Sequence, residues 1–92
     1  TAEIVGKKIR EVAAHHQVLC ITHLPQIACF GERHYLVTKT TAADRTETKV
    51  EELSEAARIE EIARMLGGLE TTETTRRHAR EMFARAQRRE AC

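Results

Sequence analysis

The side chains with the widest chemical reach in this sequence are five histidines and three cysteines. Cys20 and His23 are spaced C-x-x-H, and Cys29 and His34 are spaced C-x-x-x-x-H, so the four form a nominal zinc-ligand set. The surroundings argue against it. Cys20 falls inside the run Gln17 to Thr22, where a small apolar residue is wanted, and Cys29 sits among Ile27, Ala28 and Phe30. A buried free cysteine behaves as a small hydrophobe, and structural zinc loops carry turn residues between their paired ligands. No metal site is expected.

His23 is the stronger candidate. It follows directly on Gln17-Val-Leu-Cys-Ile-Thr22, whose unbroken apolar and β-branched character predicts a strand buried on both faces of a parallel sheet. The carboxyl end of such a strand is where open α/β sheets hold their ligands. Thr22 supplies a hydroxyl beside His23, and Pro25 fixes the backbone just beyond. A histidine held there could donate a ring hydrogen to a phosphate oxygen or orient an attacking water. The plain alternative is a loop histidine with no role.

Other residues with chemical potential have simpler explanations. His15 and His16 complement the end of a helix. Ser54, the only serine, suits a helix cap better than a nucleophile. The carboxylate pairs Glu51-Glu52 and Glu60-Glu61 point to different faces and make no acid/base dyad. No G-x-x-x-x-G-K-[ST] phosphate loop and no G-x-G-x-x-G dinucleotide turn occurs. Read alone, the chain is not a self-sufficient enzyme. Arg76, Arg77, Arg80, Arg85, Arg88 and Arg89 could form a phosphate-contacting stripe on the last helix. Arg77, Arg80, Arg88 and Arg89 spread widely around the helical wheel, and Glu73, Glu81 and Glu90 dilute the field, so a solvated face is the better reading.

Fifteen Lys plus Arg against fourteen Asp plus Glu leave a formal charge of +1, which removes the case for a binder that works by bulk charge. An apolar fraction of 41% with two Phe, one Tyr and no Trp makes a small core that needs help from a partner, a metal or a missing remainder. Three cysteines do not close a disulfide set, and nothing resembles a secretory signal or a membrane-spanning run, so a reducing, cytosolic setting with no membrane partner is expected. The chain opens on Thr1, which fits either a trimmed start or a piece of a longer protein.

These residues must be positioned by an α/β arrangement with helices at both ends. Val5, Ile9, Val12 and Ala13 recur at helical spacing and predict a helix from Thr1 to about His16 with that face inward. Helix followed by buried strand suggests half of a βαβ unit. Pro25 opens a short helix, Leu24 to Phe30, closed by Gly31. His34 to Lys39 and Thr46 to Leu53 read as two strands around a turn at 40–45, the second an edge strand with one solvated face. Ser54 caps a helix bearing Ala56, Ile59, Ile62, Ala63 and Leu66 and ended by Gly67-Gly68. The Thr71 to Thr75 joint leads into a last helix with Ala79, Met82, Phe83 and Ala86 inward.

Ile21-Thr-His-Leu-Pro-Gln-Ile-Ala28 also resembles the switch-histidine segment of the RecN family of bacterial DNA repair proteins, relatives of the SMC and ABC-type ATPases. The likeness spans nearly the whole chain. Thr1 to Ala13 looks like the helix after the Walker B strand and D-loop, and Val37-Thr38-Lys39 resembles the next core strand. Glu61-Ile-Ala-Arg-Met-Leu-Gly-Gly68 and His78-Ala-Arg-Glu-Met82 resemble the closing helices.

The resemblance implies a partial P-loop NTPase head of the ABC/SMC type. Residues 1–92 would be its C-terminal lobe, with a sheet-and-helix part at 1–70 and a terminal helix at 71–92. It implies ATP and Mg²⁺ as cofactors of the full-length protein. His23 would be the catalytic switch histidine that contacts the γ-phosphate and the water, and Thr22 would support it. The implied partners are DNA, a second ATPase head and the N-terminal part of the same head, in a cytoplasmic, nucleoid-associated protein of double-strand-break repair and recombination. The phosphate loop, signature motif and Walker B carboxylates would lie upstream of Thr1, so the segment alone is expected to be inactive. A non-catalytic protein- or DNA-binding module is the alternative.

Overall fold

The computed structural model describes residues 1–68 and 70–88, so Arg89, Glu90, Cys92 and the end of the expected terminal helix lie outside the described residues. Among the described residues four helices and one hairpin follow in the order α1 (Ala2–Ala13), α2 (Pro25–Ala28), β1 (Tyr35–Ala42), β2 (Arg45–Glu52), α3 (Glu55–Gly67) and α4 (Glu73–Arg88). Among the described residues no helix is long and apolar enough to cross a membrane.

The helical pair α3–α4 follows the spacing rules closely. Ser54 holds an extended backbone, and its Oγ accepts the Ala57 N–H at 3.2 Å, which satisfies one of the free donors of the first turn. At the other end Gly68 takes φ +69°, in the left-handed region that glycine enters without a Cβ penalty, and donates its N–H to Arg64 O. Thr72 caps α4 in the same way as Ser54 caps α3, accepting from Thr75 N–H at 3.2 Å. Ile62 and Ala63 of α3 pack with Ala79, Met82, Phe83 and Ala86 of α4, and Ile59 and Leu66 close over them. Ala56 lies outside this face and is exposed. An ion pair from Arg76 Nε to Glu60 at 2.9 Å bridges the two helices at the surface.

The sheet is a single antiparallel hairpin, β1 with β2, in register from Tyr35↔Glu52 through Val37↔Val50 to Ala42↔Arg45. Its turn is the pair Ala43-Asp44, with Ala43 at φ 55°. Both strands are solvated apart from Leu36, and the hairpin is tied at its base by the Leu53 N–H donated to His34 O at 2.9 Å.

Two expectations are corrected. Gln17 to Thr22 is not a buried strand: it forms no ladder, and Leu19 and Ile21 are 86% and 95% exposed. The parallel sheet expected around it is likewise not formed among the described residues. A strand needs a neighbour to take its backbone hydrogen bonds and a layer on each face, and no described residue supplies either to this run. The inward face of α1 is also different from the expected one. Val5 and Val12 are largely exposed and Ala13 lies outside the core, whereas Gly6 is buried. The missing side chain at Gly6 lets α1 lie directly on Phe30, because a Cβ there would stand 2.6 Å from Phe30 Cδ2 and 3.2 Å from Gln26 O.

Four successive carbonyls in the chain leaving α2, Cys29 to Glu32, join the helices together. Carbonyls in a partly buried junction need hydrogen-bond partners, and here side chains from three other helices supply them. Arg58 of α3 donates from Nη1 to Glu32 O at 3.2 Å and from Nη2 to Gly31 O at 2.6 Å. Gln87 of α4 donates from Nε2 to Cys29 O at 2.8 Å and to Gly31 O at 3.2 Å. Arg10 of α1 donates to Phe30 O and reaches Gln87 Oε1 at 3.3 Å. Arg58 is only 6% exposed, and its guanidinium carbon lies 4.7 Å from the centre of the Phe83 ring, a cation–π contact.

His34 lies beside this junction with its Nδ1 buried and unpartnered. Burial, and then the Arg58 charge, hold its pKa below the ordinary 6.5, with Glu61 pulling weakly the other way.

Two stability tests follow. Gly6→Ala should destabilise the chain by about 1–3 kcal/mol through overpacking, seen as a lower thermal midpoint; an unchanged midpoint would refute the close approach of α1 to Phe30. His34 contributes stability at high pH that is lost in acid: the unfolded chain takes up the proton near 6.5, the folded chain only at lower pH. The midpoint of the parent should therefore fall more than that of His34→Gln between about pH 7.5 and pH 5.5. Parallel curves would contradict the burial of His34.

Candidate functional site

His23 sits where the solvated run 17–22 turns into α2. Its side chain is exposed, and it is bracketed by two local constraints. On one side the Thr22 Oγ1 accepts the Leu24 N–H at 3.0 Å, closing a tight side-chain-to-backbone turn around His23. On the other, Leu24 is extended (φ −100°, ψ 117°) as the residue before a proline must be, and Pro25 is buried at the first position of α2. Leu24 O accepts from both Ile27 and Ala28, Pro25 O accepts from Cys29, and the series runs on to Gly31 N–H on Ala28 O. Unbroken backbone hydrogen bonding thus leads from the residue next to His23 to the carbonyls held by Arg10, Arg58 and Gln87.

The imidazole of His23 and the hydroxyl of Thr22 are therefore adjacent, as the sequence requires, and neither lines the hollow between α1, α2 and α4. This half-open hollow, walled by Glu3, Gln26, Cys29, Phe30, Met82, Arg85 and Ala86, amounts to about 20 Å³. That volume admits one water and no organic ligand. What this stretch of chain offers a ligand is a single exposed ring and one hydroxyl already accepting a hydrogen bond.

The nominal zinc set is dispersed. Cys20 is exposed, contrary to its expected place within a strand, because the run that carries it is unpaired. Cys29 is buried, its thiol donates to Gln26 O at 3.5 Å, and desolvation pushes its pKa up to about 11. A thiol so raised stays protonated at neutral pH and is a poor metal ligand. Among the described residues no three His, Cys, Asp or Glu side chains come together in a metal-binding arrangement.

On α4 the arginines divide between two roles. Arg76 and Arg80 pair with Glu60 and Glu73, at 2.9 and 3.1 Å. Arg80, Arg85 and Arg88 flank Glu81 and Ala84 around an open surface depression. Ion pairing and the intervening Glu81 make this a mixed-charge face.

Sequence reasoning missed Arg58 and Gln87, the residues that fasten α2. Each carries a signal that can be recognised afterwards: Arg58 lies four residues before Ile62 on the apolar stripe of α3, and Gln87 lies four after Phe83 on that of α4. A polar side chain on a buried stripe needs polar partners, and here the partners are backbone carbonyls far away in sequence. Gly6, inside a helix, carried the corresponding signal of close approach.

No domain-family profile matches the chain. Whole-sequence relatives do. It is 49% identical over 83 residues to the DNA repair protein RecN of Haemophilus influenzae, which covers 90% of this chain and 15% of that protein. The DNA repair protein RecN of Bacillus subtilis is 42% identical over 85 residues, covering 92% of this chain and 15% of the relative. That of Streptomyces coelicolor is 42% identical over 86 residues, covering 91% and 15%. The chain thus spans about 15% of the length of the curated relatives it matches. Identity at this level along almost all of its length means that the chain belongs to the RecN family of DNA repair proteins, as the counterpart of one segment of them.

Proposed function

We propose that this segment forms the C-terminal part of an SMC- and ABC-like ATPase head in a RecN-type double-strand-break repair protein, and that His23 is its switch histidine. The observation that carries the reading is the pairing of RecN-level identity with the setting of His23: an exposed imidazole on a backbone fixed by Thr22 and Pro25. ATP hydrolysis needs donors preorganised around the transferring phosphoryl group and a positioned water, because phosphoryl transfer is driven by placement and electrostatics. His23 can donate one such hydrogen bond or hold the water. Thr22 keeps the peptide on its amino side turned so that the ring projects from the start of α2.

These residues fit one contact to a nucleotide and no more. The sequence has no phosphate loop, and among the described residues no acidic set gathers that could hold Mg²⁺. In this reading the rest of the nucleotide site comes from the N-terminal part of the head and from a second head. The solvated apolar residues Leu19 and Ile21, and Ile4, Val5 and Val12 on α1, would then face the remainder of the head in the whole protein. ATP binding would bring two heads together on DNA in the cytoplasm, and hydrolysis aided by His23 would release them.

The test is His23→Ala in the full-length protein. ATP turnover should fall by about 10²-fold or more, while nucleotide affinity stays close to that of the parent. Unchanged turnover would remove the role from His23 and favour a non-catalytic binding module.

A further inference from the structure

We propose that Arg58 and Gln87 are positioning residues for His23, acting from the far end of α2. The proposal rests on the reading of His23 as the group that meets the nucleotide, and it assigns a function to two side chains that make no contact with that site.

The geometry supports it in three ways. First, α2 is a single turn and cannot hold its own shape in water, since isolated helices of this length are unstable. Its orientation must therefore be imposed from outside. Second, what imposes it is directional. Cys29 O, Gly31 O and Glu32 O are gripped by Arg58 and Gln87 at 2.6 to 3.2 Å, from two different helices, and Phe30 O is taken by Arg10 from a third. Packing of Cys29 and Phe30 into the core would fix the depth of α2 but not its rotation; hydrogen bonds to consecutive carbonyls fix both. Third, Arg58 is costly where it is. It is almost fully buried, its Nε has no partner, and burial lowers its pKa. No carboxylate among the described residues forms an ion pair with it within 4.0 Å. An apolar residue of similar size would fill the space over Phe83 more cheaply. The planar fork of arginine, with several donors in fixed geometry, suits holding Gly31 O and Glu32 O together.

The link to His23 runs through consecutive local hydrogen bonds. Gly31 N–H is bonded to Ala28 O, and Ala28 N–H to Leu24 O; Leu24 N–H is bonded to the Thr22 hydroxyl, with His23 between them. A rotation of α2 allowed by a loosened carbonyl grip is therefore delivered to the histidine. Placement errors on the order of 1 Å at a reacting centre can cost up to about 10²-fold in rate.

The experiment is a double-mutant cycle on steady-state ATP hydrolysis by the full-length protein. Arg58→Lys keeps the positive charge but loses the planar fork, and Gln87→Met keeps the volume but loses the amide that donates to Cys29 O and Gly31 O and accepts from Arg10. Each should lower kcat by about tenfold with KM changed by less than about twofold. In a His23→Ala background the same substitutions should change kcat by less than about twofold, because a residue that acts through His23 has nothing left to act on. The thermal midpoint should fall equally in both backgrounds, which separates lost stability from lost placement. Two independent variants guard against failure of either one to fold. If His23→Ala lowers kcat but the clamp variants leave it at the parent level, or lower it equally in both backgrounds, the positioning role is overturned while His23 keeps its own. If His23→Ala itself leaves kcat unchanged, the underlying reading fails, and this one with it.

Discussion

Four consecutive carbonyls, from Cys29 to Glu32, hold this structure together. They follow directly on a helix of only four residues, and their partners come from α1, α3 and α4. Without those partners the carbonyls would be stranded in a partly buried junction, at a cost of about 1–3 kcal/mol for each one left unsatisfied. Every helix contributes to the junction. The apolar contacts of Ile62, Phe83 and Met82 are non-directional, whereas the carbonyl grip fixes one element against the next through directed hydrogen bonds.

Arg58 shows how the polar and apolar parts of the junction depend on each other. Its guanidinium stacks on Phe83, which in turn belongs to the α3–α4 core, and its two terminal nitrogens reach out of that core to the chain leaving α2. The His34 ring beside it is kept neutral by the same burial and the same charge. The α3–α4 pair is thus the base to which the chain leaving α2 is fastened, and the hairpin closes on itself through Leu53 N–H and His34 O. Gly6 completes the arrangement by letting α1 close over Phe30, which brings Arg10 within reach of the Phe30 carbonyl.

Much of this was legible from local signals. Ser54, Gly68 and the inward stripe Ala79, Met82, Phe83 and Ala86 behave as capping and periodicity rules require, and the hairpin was visible in its alternation. The run Gln17 to Thr22 was read as buried because its residues are apolar. Hydrophobicity reports that a segment favours burial; it does not supply the neighbour that buries it, and within 15% of a RecN-length protein that neighbour is not among the described residues. The apolar face of α1 misled for the same reason: Val5 and Val12 form a convincing stripe, yet the closer fit is made through Gly6. Arg58 and Gln87 escaped notice because their partners are main-chain atoms about 27 and 57 residues away, which no spacing rule connects. His23 itself was found by its position after an apolar run and by its family resemblance. Its setting differs from the expected strand end, but the Thr22 turn and Pro25 still bracket it.

The most direct test of the central claim is a crystal structure of the full-length protein with a non-hydrolysable ATP analogue. The claim requires a ring nitrogen of His23 within about 3 Å of a γ-phosphate oxygen or of the attacking water. Arg58 should still be on Gly31 O and Glu32 O behind it. A nucleotide bound in an engaged head with His23 turned away, and the γ-phosphate met by some other side chain, would contradict it.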